Sequence, residues 1–239
     1  VYSLAFSSDG KTLASAGDII KNNLLAGGQV SLWEIPSRKL LRTIIVNREI
    51  TTYTNSVAFT PDGKSLVTGM TRYAPGGSAG RRMSRGEISE WDAQTGALER
   101  KWEPLDAGIH SVTFSPDGQF LVAGRNDYTI NFWDIKTREL RRTMAGTYRL
   151  FSLRFSPDGK TLASGGGPII LWDVATGREM RRLKTHSNGR SISFSVDGKT
   201  LASSSDNTIK LWDVATGREL RTLSGHSEIV TSVAFNADG

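Results

Sequence analysis

Cysteine is absent from this chain of 239 residues, and histidine occurs only three times. Without cysteine the protein can form neither disulfides nor thiolate-based catalytic or metal sites. Three histidines leave little material for a zinc centre or for acid–base catalysis. The lack of cysteine also fits a reducing compartment, so we expect a cytoplasmic location.

The common motifs of catalytic and nucleotide-binding sites are missing as well. The sequence contains no G-x-x-x-x-G-K-[ST] loop, no H-E-x-x-H pair and no G-x-S-x-G turn. It has no apolar run of about 18 residues, the length that a membrane-spanning helix requires. We therefore expect a protein that is not an enzyme, does not cross a membrane and binds no metal or cofactor.

A repeat of about 40 residues runs along the chain. Residues 171–180 read LWDVATGREM and residues 211–220 read LWDVATGREL, so the two segments differ at one position. Phenylalanines mark the same point in six successive units, at Phe6, Phe59, Phe114, Phe155, Phe194 and Phe235. A period of this length, built from short strands, is typical of a β-propeller or another repeat array.

The best-preserved unit, residues 191–223, predicts four short strands. The first ends at Asp197-Gly198, a tight turn in which glycine accepts a positive φ at no steric cost. Three more strands are predicted up to residue 223, separated by further short turns. One small sheet cannot bury both of its faces alone, so such sheets stack around an axis. The predicted fold class is therefore all-β, a propeller of four-stranded antiparallel blades.

The end of each third strand resembles the WD40 repeat. A tryptophan is followed there by Asp or Glu in five units, at residues 33–34, 91–92, 133–134, 172–173 and 212–213. The Pro-Asp-Gly turns at 61–63, 116–118 and 157–159 and the Gly225-His226 pair are similar to the same family. The resemblance covers the whole chain and implies a rigid, non-catalytic platform for protein partners.

Five complete blades and the first strand of a sixth are predicted in a single array. Their approximate bounds are 1–46, 54–104, 109–145, 149–185, 190–224 and 229–239. An open propeller would expose the apolar flanks of its terminal blades. We therefore expect a fragment of a longer chain, and the resemblance implies a ring of seven blades. The rest of the chain or another molecule would supply the missing blades.

In WD40 blades a His, a Ser or Thr, an Asp and a Trp form a hydrogen-bonded network, and one unit here has a complete set. The set comprises His186, Ser203 or Ser205, Asp206 and Trp212. A Ser, a His and an Asp together also suggest a hydrolase triad, but a network that includes an indole donor favours the structural interpretation. Ala123 replaces the serine in the third unit.

The connections between the second and third strands are long in the first two units. The second connection, residues 71–85, reads TRYAPGGSAGRRMSR and contains Arg72, Tyr73, Arg81, Arg82 and Arg85. Guanidinium groups bind carboxylates and phosphates through paired hydrogen bonds, and an aromatic ring adds a stacking surface. The insert therefore predicts binding of an acidic peptide or a phosphate chain. The alternative is a solvated hairpin whose charges only maintain solubility.

Other aromatic and basic residues extend this predicted surface over the same loop face and the channel mouth. They are Tyr53, His110, Arg125, Tyr128, Tyr148, Arg149 and Arg190. Tyrosine and arginine are enriched at interaction hot spots. The net charge of +6 also indicates an anionic partner. We predict a scaffold for protein–protein interaction, with an acidic protein or peptide as partner. The alternative is nucleic-acid or polyanion binding, which predicts a steep dependence of affinity on salt.

Overall fold

The computed structural model describes residues 1–21, 24–48, 52–73, 84–102, 106–146, 148–184 and 189–236. These residues form 20 β-strands and no helix. The strands make five antiparallel sheets of four strands each, and the strand order within each sheet follows the chain. No helix long and apolar enough to cross a membrane occurs among the described residues. The predicted all-β fold of four-stranded sheets is confirmed.

The sheets are numbered 1 to 5 in chain order, and the first strand of each is its inner strand. Sheet 1 contains β1 (Ser3–Phe6), β2 (Thr12–Lys21), β3 (Leu24–Glu34) and β4 (Lys39–Asn47). Sheet 2 contains β5 (Thr52–Phe59), β6 (Ser65–Tyr73), β7 (Ser84–Asp92) and β8 (Leu98–Lys101). Sheet 3 contains β9 (Ile109–Phe114), β10 (Phe120–Arg125), β11 (Thr129–Asp134) and β12 (Leu140–Ala145). Sheet 4 contains β13 (Ser152–Phe155), β14 (Thr161–Gly165), β15 (Ile169–Asp173) and β16 (Glu179–Leu183). Sheet 5 contains β17 (Ile192–Phe194), β18 (Thr200–Ser205), β19 (Thr208–Asp213) and β20 (Glu219–Leu223).

The turn between the first and second strands has the same hydrogen bonds in every sheet. In sheet 4, Ser156 Oγ donates to Asp158 Oδ1 at 2.6 Å, and the Lys160 N–H donates to the same oxygen at 3.0 Å. Gly159 follows with a φ of 71°, where a side chain would be strained. The two donors hold the pKa of Asp158 below its ordinary value. The corresponding aspartates have pKa values lowered by the same kinds of bond, and they are Asp9, Asp62, Asp117 and Asp197.

Serine side chains join neighbouring inner strands. Each serine Oγ accepts a hydrogen bond from a backbone N–H of the following inner strand. The N–H groups of Val57, Val112 and Leu153 donate to Ser3 (3.2 Å), Ser56 (3.0 Å) and Ser111 (3.2 Å), respectively. These side-chain acceptors take the place of a backbone ladder between the sheets. The sheets therefore stay separate while their inner strands keep a common register.

Apolar side chains fill the space between consecutive sheets. Between sheets 3 and 4, Phe132 and Met144 pack against Leu153, Leu162 and Trp172. Similar clusters lie between sheets 1 and 2, sheets 2 and 3, and sheets 4 and 5. Sheets 2, 3 and 4 thus bury both faces, and this removal of apolar surface from water is the main stabilising contribution in the fold.

The outer face of sheet 1 and that of sheet 5 have no neighbouring sheet among the described residues. On the inner strand of sheet 1, Leu4 is 56% exposed, whereas the corresponding Leu153 of sheet 4 is 0% exposed. On the outer strand of sheet 5, Leu223 is 41% exposed, against 1% for the corresponding Leu183. Both flanks therefore present apolar side chains that an adjoining sheet covers elsewhere in the fold.

The predicted inner strand of a sixth sheet, residues 229–235, does not form a strand. Its backbone instead makes single hydrogen bonds to sheet 5, in which the Val230 N–H donates to the Asp206 carbonyl at 2.7 Å and the Val233 N–H to Ser191 Oγ at 3.1 Å. The second bond is of the same type as the serine bonds that join the inner strands of neighbouring sheets. The segment therefore occupies the inner-strand position, but no described strand lies beside it to complete a ladder.

Indole–hydroxyl hydrogen bonds join the third and second strands in four of the sheets. They run from Trp212 to Ser203 (2.9 Å), Trp172 to Ser164 (2.8 Å), Trp91 to Thr68 (3.0 Å) and Trp33 to Ser15 (3.3 Å). In sheet 3 the corresponding residue, Ala123, has no hydroxyl to accept such a bond. Asp206 is exposed, and His186 lies outside the described residues. The hydrolase interpretation of the Ser203 set therefore receives no geometric support from the described residues.

Replacing Ser203 with Ala is expected to lower the free energy of unfolding by about 1–3 kcal/mol, because the buried indole N–H of Trp212 would lose its acceptor. Ser15→Ala is the matched control. Trp33 is 37% exposed, so its N–H can bond water, and we expect a loss below about 0.5 kcal/mol. Urea denaturation measures both values, and equal losses would contradict this account.

Acid is expected to destabilise the fold through the turn aspartates. Their pKa values are lower in the folded chain than the ordinary value of 3.8, so the unfolded chain binds more protons at low pH. The stabilisation that they provide is therefore fully present above about pH 5, and it is lost as the pH falls through 3.8 and then through the lower pKa values of the folded chain. Urea midpoints measured across this range should decrease with pH, and Asp158→Asn should weaken the dependence. A midpoint independent of pH would argue against the role of these turns.

Candidate partner-binding site

The long hairpin of sheet 2 positions the described part of the Arg-rich insert. Strands β6 and β7 continue their ladder as far as the Arg72–Arg85 and Tyr73–Ser84 pairs. Successive side chains of a strand point to opposite faces, so Arg72 and Tyr73 project to opposite sides of the sheet. Arg81 and Arg82 lie outside the described residues.

A cleft of about 440 Å³ lies between the end of sheet 1 and this hairpin. Its walls include Met70, Arg72, Arg85, Glu87, Lys101 and Trp102. The volume falls within the range of pockets that receive ligands or partner side chains. We refer to this feature as the cationic cleft.

The charge of the cationic cleft is predominantly positive. Three of its lining residues are basic, and Glu87 is the one acidic residue among those described there. Lys101 Nζ lies 2.9 Å from Glu87 Oε1, and Ser89 Oγ donates to the same oxygen at 2.8 Å. Glu87 thus has two partners within the chain, and Arg72 and Arg85 add two further positive charges to the lining.

The floor of the cleft is apolar and well packed. Trp102 is buried, and its ring lies edge-on to that of Trp133 with centroids 6.2 Å apart. Asn47 Nδ2 donates to Met70 Sδ at 3.4 Å. Thr52 Oγ1 and Trp102 Nε1 are buried without a hydrogen-bond partner in the described part of the chain. The arginines therefore stand above a floor that can also make apolar contacts.

The tyrosines of the predicted surface lie apart from these arginines. Tyr53 and Tyr73 pack edge to face with ring centroids 5.7 Å apart, and neither lines the cationic cleft. Nearby, Tyr2 Oη donates to Asp18 Oδ2 at 2.7 Å, and this bond raises the pKa of Tyr2 to about 12. The structure thus brings Arg72 and Arg85 together and places the aromatic rings in a separate cluster.

Arg125 and Tyr128 lie at the end of the second hairpin turn of sheet 3. Arg125 is buried and forms ion pairs with Asp106 and, at 3.2 Å, with Asp127 Oδ2. Its charge is therefore balanced within the chain, which indicates a structural role. Tyr128 is exposed and has a positive φ of 70°.

The remaining predicted residues surround the entry to the inner strands. Tyr148 and Arg149 are exposed in the segment that leads into β13. His110 is half-buried, with its ring 5.5 Å from that of Phe151. Burial, and to a smaller extent the charge of Arg149, lowers the pKa of His110. Arg190 is exposed, and its backbone N–H donates to Ser204 Oγ at 3.1 Å.

His110 and Arg190 line a second cavity, of about 250 Å³, which we call the central cavity. Residues from the inner-strand region of all five sheets and from the segment after β20 form its wall. Arg154 of β13 also lines it, and this residue was missed in the sequence. A signal was available, because Arg154 is the third residue of a Ser-x-x-Phe segment whose third residue is small in every other unit.

A family model described as "WD domain, G-beta repeat" matches residues 1–34, 101–134, 138–173, 177–213 and 217–239, more than half of the chain. The chain belongs to the WD40 repeat family. The WD40 unit at 177–213 begins before the outer strand of sheet 4 and ends with the third strand of sheet 5. The units at 138–173 and 177–213 therefore each run from the outer strand of one sheet to the third strand of the next and link the two sheets covalently.

Three curated proteins illustrate the relatives of this WD40 chain. Protein groucho of Drosophila melanogaster is 29% identical over 69% of this chain and 20% of its own length. Small ribosomal subunit protein RACK1y of Oryza sativa subsp. japonica is 32% identical over 57% of this chain and 38% of its own. U3 small nucleolar RNA-associated protein 12 of Saccharomyces cerevisiae is 30% identical over 57% of this chain and 12% of its own. The chain thus spans well under half of the length of each.

Membership of the WD40 family assigns a general role to the surfaces described above. WD40 repeat proteins are generally non-catalytic scaffolds that bind other proteins. The residues that the structure describes contain no group of three or more His, Cys, Asp or Glu side chains that could hold a metal ion. The relevant question is therefore which surface receives a partner.

Proposed function

We propose that this WD40 chain is an interaction platform that binds an acidic segment of a partner protein in the cationic cleft. The observation that carries the proposal is the pairing of Arg72 and Arg85 across β6 and β7, next to Lys101. Guanidinium groups bind carboxylates through paired, charge-assisted hydrogen bonds, which are stronger than neutral ones. A partner segment rich in Asp or Glu would supply the carboxylates that these guanidinium groups bind.

The shape of the cleft supports a peptide in preference to a small molecule. Arg72 and Arg85 are exposed at its opening, while Met70 and Trp102 are buried at its base. A peptide could place an acidic side chain between the arginines and an apolar side chain against the base. Apolar anchors supply affinity and charged rims supply specificity and association rate in such interfaces.

Reversing both charges with Arg72→Glu and Arg85→Glu is expected to weaken binding of a labelled glutamate-rich peptide by at least about tenfold, because attraction becomes repulsion. Fluorescence anisotropy measures the affinity. The two positions already carry like charges opposite each other, so the double reversal preserves their mutual repulsion and should leave the fold intact.

Arg178→Glu with Arg218→Glu is the matched control. Both arginines are exposed in turns at the opposite end of their sheets, so the same change in net charge is made away from the cleft. Unchanged peptide affinity is expected there. Equal weakening by the two double variants would mean that net charge, and not the cleft, attracts the peptide.

Nucleic-acid binding through the basic insert is the second candidate function. Two relatives carry names that refer to RNA-containing assemblies, the small ribosomal subunit and the U3 small nucleolar RNA. Arg72 and Arg85 could equally contact phosphates, with Arg81 and Arg82 of the same insert adding charge. A labelled single-stranded oligonucleotide distinguishes the two functions. Tighter binding than that of the peptide, with affinity falling steeply as salt rises, would favour this alternative.

We further propose that additional sheets complete a ring against the open flanks of sheets 1 and 5. The exposed Leu4, Phe6 and Trp33 support this proposal, because the corresponding residues of the inner sheets are covered by the preceding sheet. Exposed apolar faces of this kind favour association in water. The added sheets would come from the rest of a longer chain or from another molecule.

This chain on its own is therefore expected to self-associate, which light scattering during size-exclusion chromatography detects as a mass above that of the monomer. Leu4→Asp with Phe6→Asp should restore the monomer by placing charge on the open flank. Leu98→Asp with Leu140→Asp is the control, since these leucines are comparably exposed on outer strands. If the wild-type chain is monomeric at high concentration, the proposal that the open flanks drive association is wrong.

A further inference from the structure

The wall of the central cavity is built from residues at equivalent positions of successive inner strands. Serines at one such position contribute to the wall, and we call them the serine ring: Ser3, Ser56, Ser111, Ser152 and Ser191. Four of these Oγ atoms already accept a hydrogen bond from a backbone N–H, and they belong to Ser3, Ser56, Ser111 and Ser191. The hydroxyl hydrogens, for which no acceptor is recorded among the described residues, remain able to donate into the cavity.

Arg154 interrupts a layer of small residues next to this ring. The same position in the other units holds Ala5, Ala58, Thr113, Ser193 and Ala234. The Arg154 guanidinium therefore has space around it, and its Nη1 donates to the Leu153 carbonyl at 2.8 Å. This one bond uses a single donor out of the five that a guanidinium carries.

The charge of Arg154 has no counter-ion among the described residues. No acidic residue of the described part of the chain lines the central cavity, and Arg190 adds a second guanidinium to its wall. The Arg154 side chain is exposed to the cavity, yet protein surrounds it so closely that desolvation lowers its pKa.

The two buried cations among the described residues are neutralised. Arg125 pairs with Asp106 and Asp127, and Lys210 pairs with Glu219. Arg154 has no such ionic partner among the described residues, so its guanidinium can receive an anion from outside. Arg154 thus differs from Arg125 and Lys210 in lacking a carboxylate partner, and a bound anion would supply the missing negative charge.

The volume of the central cavity limits the size of that anion. The cavity has a volume of about 250 Å³. This is enough for one phosphate-sized group with some of its hydration. A folded segment of a partner would not fit.

The geometry points to a binding site for one small oxyanion of the phosphate class in the central cavity, held by Arg154 and Arg190 and by the hydroxyls of the serine ring. Two guanidinium groups and several hydroxyl donors match the acceptors of a tetrahedral oxyanion. The oxyanion is either free phosphate or pyrophosphate, or the phosphoryl group of a phosphorylated partner. The site shares no lining residue with the cationic cleft, so it stands independently of the proposed function.

Isothermal titration calorimetry of the full-length protein with inorganic phosphate and with pyrophosphate tests the site. We expect one bound anion per chain, and a weakening of at least about tenfold in Arg154→Ser. Arg154→Ser introduces the residue that the fifth unit has at this position, Ser193, and should therefore fold. Arg154→Lys keeps the charge without the fork of donors and should bind with intermediate affinity.

Thermal unfolding gives a second measurement. Phosphate should raise the melting temperature of the wild-type protein, because a ligand that binds the folded state stabilises it. The rise should disappear in Arg154→Ser and persist in Arg178→Gln, a surface control remote from the cavity. Without phosphate, Arg154→Ser should melt at or above the wild-type temperature, since it removes an unbalanced charge.

A peptide carrying phosphoserine, compared with its unphosphorylated form, identifies the source of the oxyanion. Arg154-dependent binding of the phosphopeptide alone would assign the site to a modified partner, and binding of inorganic phosphate or pyrophosphate would assign it to a free anion. The proposal is overturned if none of the three probes binds, or if Arg154→Ser binds them as tightly as the wild-type protein.

Discussion

Burial of both faces of each sheet is the constraint on which this structure depends. A four-stranded sheet with apolar residues on two sides buries both of them only between two neighbours, and the inner sheets meet that condition. The same constraint explains why the terminal sheets differ from the rest although their sequences follow the same repeat. Leu4 and Leu183 occupy ordinary core positions of the repeat, yet only Leu183 has a sheet packed over it.

The polar residues of the repeat form hydrogen bonds that hold the strands and turns in place. Serines hold the inner strands in register, aspartates close the first turns, and hydroxyls receive the tryptophan N–H groups. Because these bonds recur in nearly identical form, they leave little freedom for a binding site. Specific recognition therefore depends on positions where the repeat is broken, such as the long hairpin of sheet 2 and Arg154 in the inner strand of sheet 4.

Arginine has three distinct roles in this chain, and its partners distinguish them. Arg142 reaches the Val174 and Ala175 carbonyls of the next sheet and so contributes to packing. Arg125 is buried between two aspartates and stabilises a corner of sheet 3. Among the described residues, the arginines of the cationic cleft and of the central cavity line volumes whose walls contain fewer acidic than basic residues. These two places are where an external anion would relieve the electrostatic imbalance.

The sequence by itself determined the family, the four-stranded unit and the turn chemistry, because these depend on contacts within about 40 residues that every unit repeats. It also identified Ala123 as the position where one indole has no hydroxyl partner. Tertiary structure alone decided which predicted arginines share a site. It separated Tyr73 from Arg72, neutralised Arg125, and brought Lys101 and Trp102 into the cationic cleft. Residues far apart in sequence meet there through strand direction and packing between sheets, which local patterns do not encode.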